Sequence, residues 1–420
     1  MRNILQHRGL RLIFAANMIS MIGSGMNTAA VTWYVLQATH SEMALGTLLM
    51  LQTIPALLML PFTGVVIDRE DRRRLLMVLD VCRGVVILIV AVLAYRGVAK
   101  LWEVYLMSIL VAAGFWMFWP TITALIQELT PDSQFVHSNS FLIAGVQGGW
   151  LVAGSIVGFV YNHIGLSGVL FLDCASYALS FMCYLFVRKG RHTVAVPSQK
   201  EHASAVARFM HELREGIAYI RVRPQLTLVG SCWAMFIGAM LTQGVITAPF
   251  SDRILNTGAV GYGWLNCGWA IGAFLSAFYT PALARTAGHR RAIGISMAVL
   301  GLCLLALPLL GTRLRDIHLS SIHIALLVSV LVYCVMGCCR GLGGVVITSS
   351  MMEAVPKHFM GRVQNTFYFA GTFLQLVLSF SVGMVSHAWS LAAGFAMVGT
   401  VYLLASVAGS WRARKDWVIG

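Results

Sequence analysis

Twelve apolar stretches, each long enough to cross a bilayer, leave this chain few choices of fold. They run over 11–37, 43–67, 75–97, 102–127, 138–163, 166–187, 225–250, 258–283, 290–311, 320–349, 359–387 and 389–411. An α-helix needs about 20 mostly apolar residues to cover the hydrocarbon core. Inside that core only helices or closed barrels satisfy every backbone polar group. The chain therefore reads as an all-α polytopic membrane protein with twelve transmembrane helices, numbered as spans one to twelve in chain order. A mean hydropathy of +0.78 with 11% charged residues places it outside the range of soluble globular domains.

The net charge of +14 would suggest nucleic acid in a soluble protein, but its placement argues for insertion. With the N-terminus inside, 23 Lys and Arg fall on the cytoplasmic side, while five (Arg96, Lys100, Arg253, Arg313 and Arg315) fall in outer loops. Arg83 and Arg340 lie within spans. This is the positive-inside asymmetry, and it puts both termini in the cytoplasm. The basic start followed by a long apolar run, with no A-x-A cleavage site, reads as an uncleaved first helix.

All nine cysteines fall within spans, where they act as small apolar residues. No C-x-x-C pairing or H-E-x-x-H spacing suggests a metal, and no nucleotide-binding loop suggests ATP. An enzyme is not expected, and neither are catalytic residues, a metal, a cofactor or a nucleic-acid partner.

The longest non-spanning stretch divides the spans six and six. It gives an N-terminal six-helix bundle (1–187), a cytoplasmic linker (188–223) and a C-terminal six-helix bundle (224–420). Within the linker Val206, Phe209, Met210, Leu213, Ile217 and Ile220 follow helical spacing, predicting an amphipathic helix at the membrane surface. Glu128 and Pro131 after span four recur as Glu353 and Pro356 after span ten, both 225 positions later. Repeated membrane halves place a substrate site at their interface and let access alternate by rocking.

Between spans two and three the chain reads GVVIDREDRRRLL, from Gly64 to Leu76. Lipid cannot solvate that charge, so the chain surfaces there. Gly64, Asp68, Arg69, Arg72 and Arg73 match the signature G-x-x-x-D-R-x-G-R-[RK], by which the chain resembles the major facilitator superfamily. Asp71 stands where many members carry glycine.

Further elements resemble the bacterial exporter branch that includes enterobactin exporters and macrolide efflux pumps. They are Asp80-x-x-Arg83 in span three, FLDCASYALS from Phe171 to Ser180, EGIAYIRVRP from Glu215 to Pro224, and Gly361-Arg362-Val363 opening span eleven.

The resemblance implies two pseudo-symmetric six-helix bundles in the bacterial cytoplasmic membrane. It implies a monomeric secondary transporter exporting a small amphipathic molecule, such as a siderophore, a macrolide-like antibiotic or another natural product. A proton gradient is the implied energy source, which would make the protein an antiporter. A lipid or lysolipid translocator is the alternative on the same fold. A non-transporting membrane scaffold or sensor fits less well, because no soluble signalling domain is evident.

The resemblance also places Asp68 beside the start of span eleven in the outward-facing state. There, with Gly64, Arg69, Arg72, Arg73, Glu128 and Arg362, it would form a conformational latch, Glu128 pairing with Arg72 or Arg73. The competing reading is that these arginines only set topology.

For cargo, the foremost residue is Arg340, which sits mid-span ten, where an arginine costs at least ~2.5 kcal/mol in lipid. Gly341, Gly343 and Gly344 follow and allow close helix approach. The resemblance puts spans one, four, seven and ten around a central cavity, so Arg340 would meet an anionic or carbonyl-rich cargo. Capping of backbone carbonyls weighs equally as its role.

Asn17, Ser20, Ser24, Asn27 and Thr28 form a polar face on span one, and Trp116, Trp119 and Gln243 add aromatic and amide groups. From these Asn27, Trp116, Trp119 and Gln243 join Arg340 as the substrate-binding set, although small polar residues also bond helix to helix. Asp173 is the one acid well inside a span and so the proton-coupling candidate, with a structural role as the competing reading. Asp80 and Arg83 can pair within one turn.

Overall fold

The computed structural model describes residues 8–129, 135–187, 205–314, 318–319, 322–355 and 357–410. Helices α1 (Arg8–Thr39), α2 (Glu42–Arg69), α3 (Arg72–Tyr95) and α4 (Leu101–Leu129) are followed by the long α5 (Phe135–Leu185). Then come α6 (Ala205–Arg221), α7 (Pro224–Thr242), α8 (Gly244–Pro249), a π-helical turn (Phe250–Ile254), α9 (Gly258–Ala287) and α10 (His289–Leu314). A two-stranded hairpin pairs His318 with His323 and Leu319 with Ile322. It precedes α11 (Ile324–Ala354), α12 (Lys357–Ala388) and α13 (Leu391–Ser410).

Each predicted span coincides with helix over most of its length, and span ten becomes helical only at Ile324, since Ile322 and His323 before it belong to the hairpin. Among the described residues ten stretches are long and apolar enough to cross a membrane. That set takes α5 once, although it carries spans five and six, and leaves out α9, which carries the glycine-rich and aromatic span eight. The two spans in α5 meet at Gly165, whose φ of 64° and ψ of −170° break the helix. Glycine adopts this conformation without a Cβ clash.

Span seven is also interrupted. Pro249 has no N–H to donate, and the backbone after it widens into the π-turn, where the Leu255 amide donates to the Phe250 carbonyl at 3.0 Å.

Helix α3 reverses the arrangement expected in water. On α3 the buried side includes Asp80, Arg83 and Gly84, while Val78, Val81, Val85, Leu88 and Ile89 point away from the protein. In a hydrocarbon solvent apolar side chains are the ones that can be left on the outside, and charges must face protein. Helix α6 shows the other pattern, an apolar stripe with charges between. Its Phe209 ring lies 6.2 Å from Phe369 of α12, and Gly216 packs on the α12 backbone at Arg362.

The chain divides into two compact units, one of Met1–His40, Leu51–Val206 and Tyr262–Cys267, the other of Ser41–Met50, Ala207–Gly261 and Gly268–Gly420. The first turns of α2 thus belong with the second unit and a short part of α9 with the first, whereas division by chain order alone assigns each to its own half. In the first unit α1 packs along α5, over a core including Ile13, Met21, Leu76, Phe118, Ile122 and Tyr184. In the second, α10 packs on α11 and α13, and α7 on α12.

Candidate functional site

Three charged side chains lie almost fully inside the first unit: Asp173 is 0% exposed, Asp80 1% and Arg83 2%. Asp80 and Arg83, one turn apart on α3, form an ion pair at 2.5 Å. Ser180 of α5 donates to the other Asp80 oxygen at 2.7 Å. The guanidinium carbon lies over the rings of Tyr177, 4.4 Å away, and Phe118, 4.7 Å away. Gly114 of α4 leaves room for its stem, since a Cβ there would meet the Arg83 Cδ at 2.8 Å.

Asp173 is held differently. Asn27 Nδ2 of α1 donates to it at 2.6 Å and Ser176 Oγ at 3.3 Å, so its direct hydrogen-bond partners here are neutral. Ser24 and Tyr177 bond at 2.9 Å beside it. The polar face predicted on α1 is therefore turned into its own bundle. Asn27, expected to bind cargo, is buried and engaged with Asp173, because an amide inside lipid is better satisfied by a carboxylate on the neighbouring helix than by an open cavity.

At the arginine-rich loop, Asp71 is the N-cap of α3 and accepts from the Arg74 amide at 3.1 Å. An aspartate can start a helix this way where a glycine would only turn. Arg72 pairs with Glu128 at 2.7 Å and also donates to the Ala124 carbonyl at 3.2 Å. Arg73 donates to the Tyr184 and Leu185 carbonyls, both at 2.7 Å, and so caps the end of α5. Arg362 pairs with Glu215 of α6 at 2.8 Å. Gly64, Asp68, Arg69, Pro131, Glu353, Pro356 and Gly361 lie outside the residues whose side chains or placement the structure describes.

In the second unit Arg340 is half-buried on α11. Its Nε donates to the Met240 sulfur at 2.9 Å, and its guanidinium carbon lies 5.7 Å from the Trp269 ring centre. Among the described residues no backbone carbonyl or carboxylate takes its N–H groups, so the capping role weighed above is not the one observed. Gln243 is buried at the junction of α7 and α8, where its own carbonyl accepts from Ile246 and Thr247. Trp116 makes an edge contact with Phe115 at 6.3 Å. Trp119 is partly buried and packs against the first unit's apolar core.

Two further constellations carried sequence signals that the spans obscured. Gly268 and Gly272 on α9, and Gly337 and Gly341 on α11, are each a G-x-x-x-G pair, and they face one another. A Cβ at Gly268 would lie 2.6 Å from the Val330 carbonyl, and one at Gly272 or Gly337 would collide with the backbone at Cys334 or Trp269. Opposite the arginine-rich end of α2, Glu42 is 1% exposed, paired with Arg253 of the π-turn and 3.6 Å from His387 of α12. The Gly46–Gly383 contact beside it brings α2 against α12. An acid opening a span was the available clue.

The family model described as Major Facilitator Superfamily matches residues 13–379. The multidrug efflux pump Tap of Mycolicibacterium fortuitum is 22% identical over 418 residues, covering 96% of each chain. Macrolide efflux protein A of Streptococcus pyogenes is 21% identical over 229 residues, 54% of this chain, and the match spans about half of that relative, 55% of its length. Among solved structures, the nucleoside transporter NupG superposes with a TM-score of 0.71 at 13% identity over 95% of this chain and 96% of that one. A POT family transporter does so at 0.73 and 14%, over 95% of both. These structural likenesses show the shared fold. With its transmembrane helices, its buried intramembrane charges and a family match over most of its length, the chain is an integral membrane protein of the Major Facilitator Superfamily, a transporter and not an enzyme.

Proposed function

We propose that the protein is a secondary active exporter of small amphipathic molecules, working by alternating access as a monomer in a bacterial cytoplasmic membrane with both termini inside. The observation that carries this reading is the end-to-end similarity to a multidrug efflux pump within a shared family. The partial similarity to a macrolide efflux protein points the same way. Siderophores, macrolide-like antibiotics and related natural products are the cargo classes that suit it.

A proton gradient supplies the energy, and Asp173 is the residue to carry the proton. It has no charged partner within hydrogen-bonding distance among the described residues, and its contacts join α1 to α5, so a change of protonation would reach both helices. Purified protein in liposomes should accumulate a fluorescent amphipathic drug only when a pH gradient is imposed. Asp173→Asn, which keeps the size and can still accept from Asn27, should insert normally and transport at the level of gradient-free vesicles. No transport by the unaltered protein rejects the exporter, and gradient-independent transport rejects proton coupling. Unchanged gradient dependence in Asp173→Asn rejects this residue as the carrier.

Asp68, with Gly64, Arg69, Arg72, Arg73, Glu128 and Arg362, serves as the latch. A carboxylate at a helix N-terminus gains up to ~2 kcal/mol, which biases two conformations about 30-fold. This is enough to hold one state and too little to drive transport. Asp68→Asn should reach normal abundance with impaired transport, and wild-type transport at equal abundance would remove the latch.

A further inference from the structure

The second unit contains a cluster of hydrogen-bond donors that the described residues supply with few acceptors. Arg340 of α11 carries five N–H donors and can accept nothing, and the partner given to it is a thioether sulfur, a weak acceptor. Tyr402 of α13 is fully buried with its ring 6.5 Å from Phe236, and among the described residues its hydroxyl has no hydrogen-bond partner. Trp233 of α7 likewise has a buried indole N–H with none among the described residues. Leaving such groups dry and unpaired is unfavourable, and an intramembrane cation without a carboxylate marks a functional site.

The surroundings are aromatic and continuous. Phe236 stands 5.8 Å from Trp233 and 6.5 Å from Tyr402 by ring centres. A Cβ built at Gly344, one turn after Arg340, would meet Phe236 at 3.5 Å, so this wall is in contact with α11. The Trp269 ring lies near the guanidinium as well. Tyr402, Phe236 and the indole nitrogen of Trp233 are buried, whereas Arg340, Met240 and Trp269 are partly accessible. Trp233 lies seven residues before Met240 on α7, about 10 Å along the helix. A ligand bridging the donors therefore needs more than a small inorganic ion.

We propose that this cluster is a binding site for an organic oxyanion. A carboxylate, phosphate or similar acidic oxygen group is received by Arg340 and Tyr402, and an aromatic or apolar body lies along Trp269 and Phe236, with a second acceptor within reach of Trp233. The inference rests on the reading of the chain as a transporter and narrows its cargo to acidic amphiphiles. The oxyanion could belong to a soluble molecule or to a lipid headgroup, and the two are separated below.

The test is equilibrium binding to the purified full-length protein, read by quenching of tryptophan fluorescence and by calorimetry. One arm uses 2-naphthoxyacetate, its neutral amide and a matched naphthyl ammonium ion. The other uses lysophosphatidylglycerol against lysophosphatidylcholine. The expected result is that one anion binds at least about tenfold more tightly than its uncharged, zwitterionic or cationic counterpart, as loss of a charged hydrogen bond implies. The arm that shows it identifies the source.

Arg340→Gln should erase the preference and Arg340→Lys should weaken it, because the ammonium lacks the planar fork. Tyr402→Phe, which keeps the ring packing, should weaken anion binding and leave the amide unaffected, and this variant tests the site even where Arg340→Gln does not fold. No anion preference in either arm, or a preference that survives both Arg340→Gln and Tyr402→Phe, overturns the proposal. Anion binding without any export in liposomes would sink the exporter reading while leaving this site in place.

Discussion

Replacing Arg83 by methionine is expected to cost the folded protein about 3–5 kcal/mol, because it strands the Asp80 carboxylate inside the first bundle. Arg83 is the single Lys or Arg that is buried among the described residues, and the Asp80 oxygens have only it and Ser180 as close partners. Methionine roughly fills the slot between Phe118 and Tyr177, so the loss would come from charge more than from a cavity.

The double replacement Asp80→Asn with Arg83→Met removes both charges and leaves an amide that Ser180 can still bond. It should recover most of the stability, since removing a buried pair together is far milder than breaking it. Thermal unfolding of purified protein, with abundance in the membrane as a second readout, checks both. A single variant as stable as the parent would show that the pair contributes nothing to folding.

The second large effect is expected where α9 and α11 approach. Valine at Gly272 or Gly337 places side-chain atoms where backbone of the opposite helix already lies, at Cys334 and Trp269 respectively. Overpacking costs about 1–3 kcal/mol even where the neighbours are side chains that can turn aside, and backbone cannot. In lipid no hydrophobic gain compensates for lost helix contact, so close packing through small residues provides most of the association. Both valine variants should lose monodisperse protein in detergent and melt early, with alanine intermediate. A Gly272→Val protein that melts like the parent would mean the helices do not approach this closely in the membrane.

Much of the architecture is legible in the linear sequence because the bilayer imposes a length and a polarity on every span. The predicted break between spans five and six falls within a residue or two of Gly165, and the amphipathic helix predicted from Val206 to Ile220 is α6. The pairing of Asp80 with Arg83 was legible too, since three residues make one helical turn. Helical spacing shows that residues share a face, however, and not which neighbour that face meets. The polar stripe of α1 could equally line a cavity or bond to another helix, and contact with Asp173 and Tyr177 assigns Asn27 and Ser24 to the second role. Trp119 likewise touches the apolar core with part of its surface.

Arg340 shows the division most clearly. Its position in an apolar span was enough to say that it must face protein, water or ligand, because the cost of charge in lipid is a local property. Its companions Met240, Trp269 and Tyr402 come from three other helices and are separated from it by 62 to 100 positions. No spacing rule reaches that far.

The sequence by itself determined the membrane as solvent, the all-helical class of the fold and the family, since each follows from composition, charge placement or a contiguous motif. Only the tertiary structure decided which polar groups satisfy one another inside the bundles and which described ones find no partner there. Hydrogen bonds and close helix contacts depend on angstrom distances between residues remote in the chain.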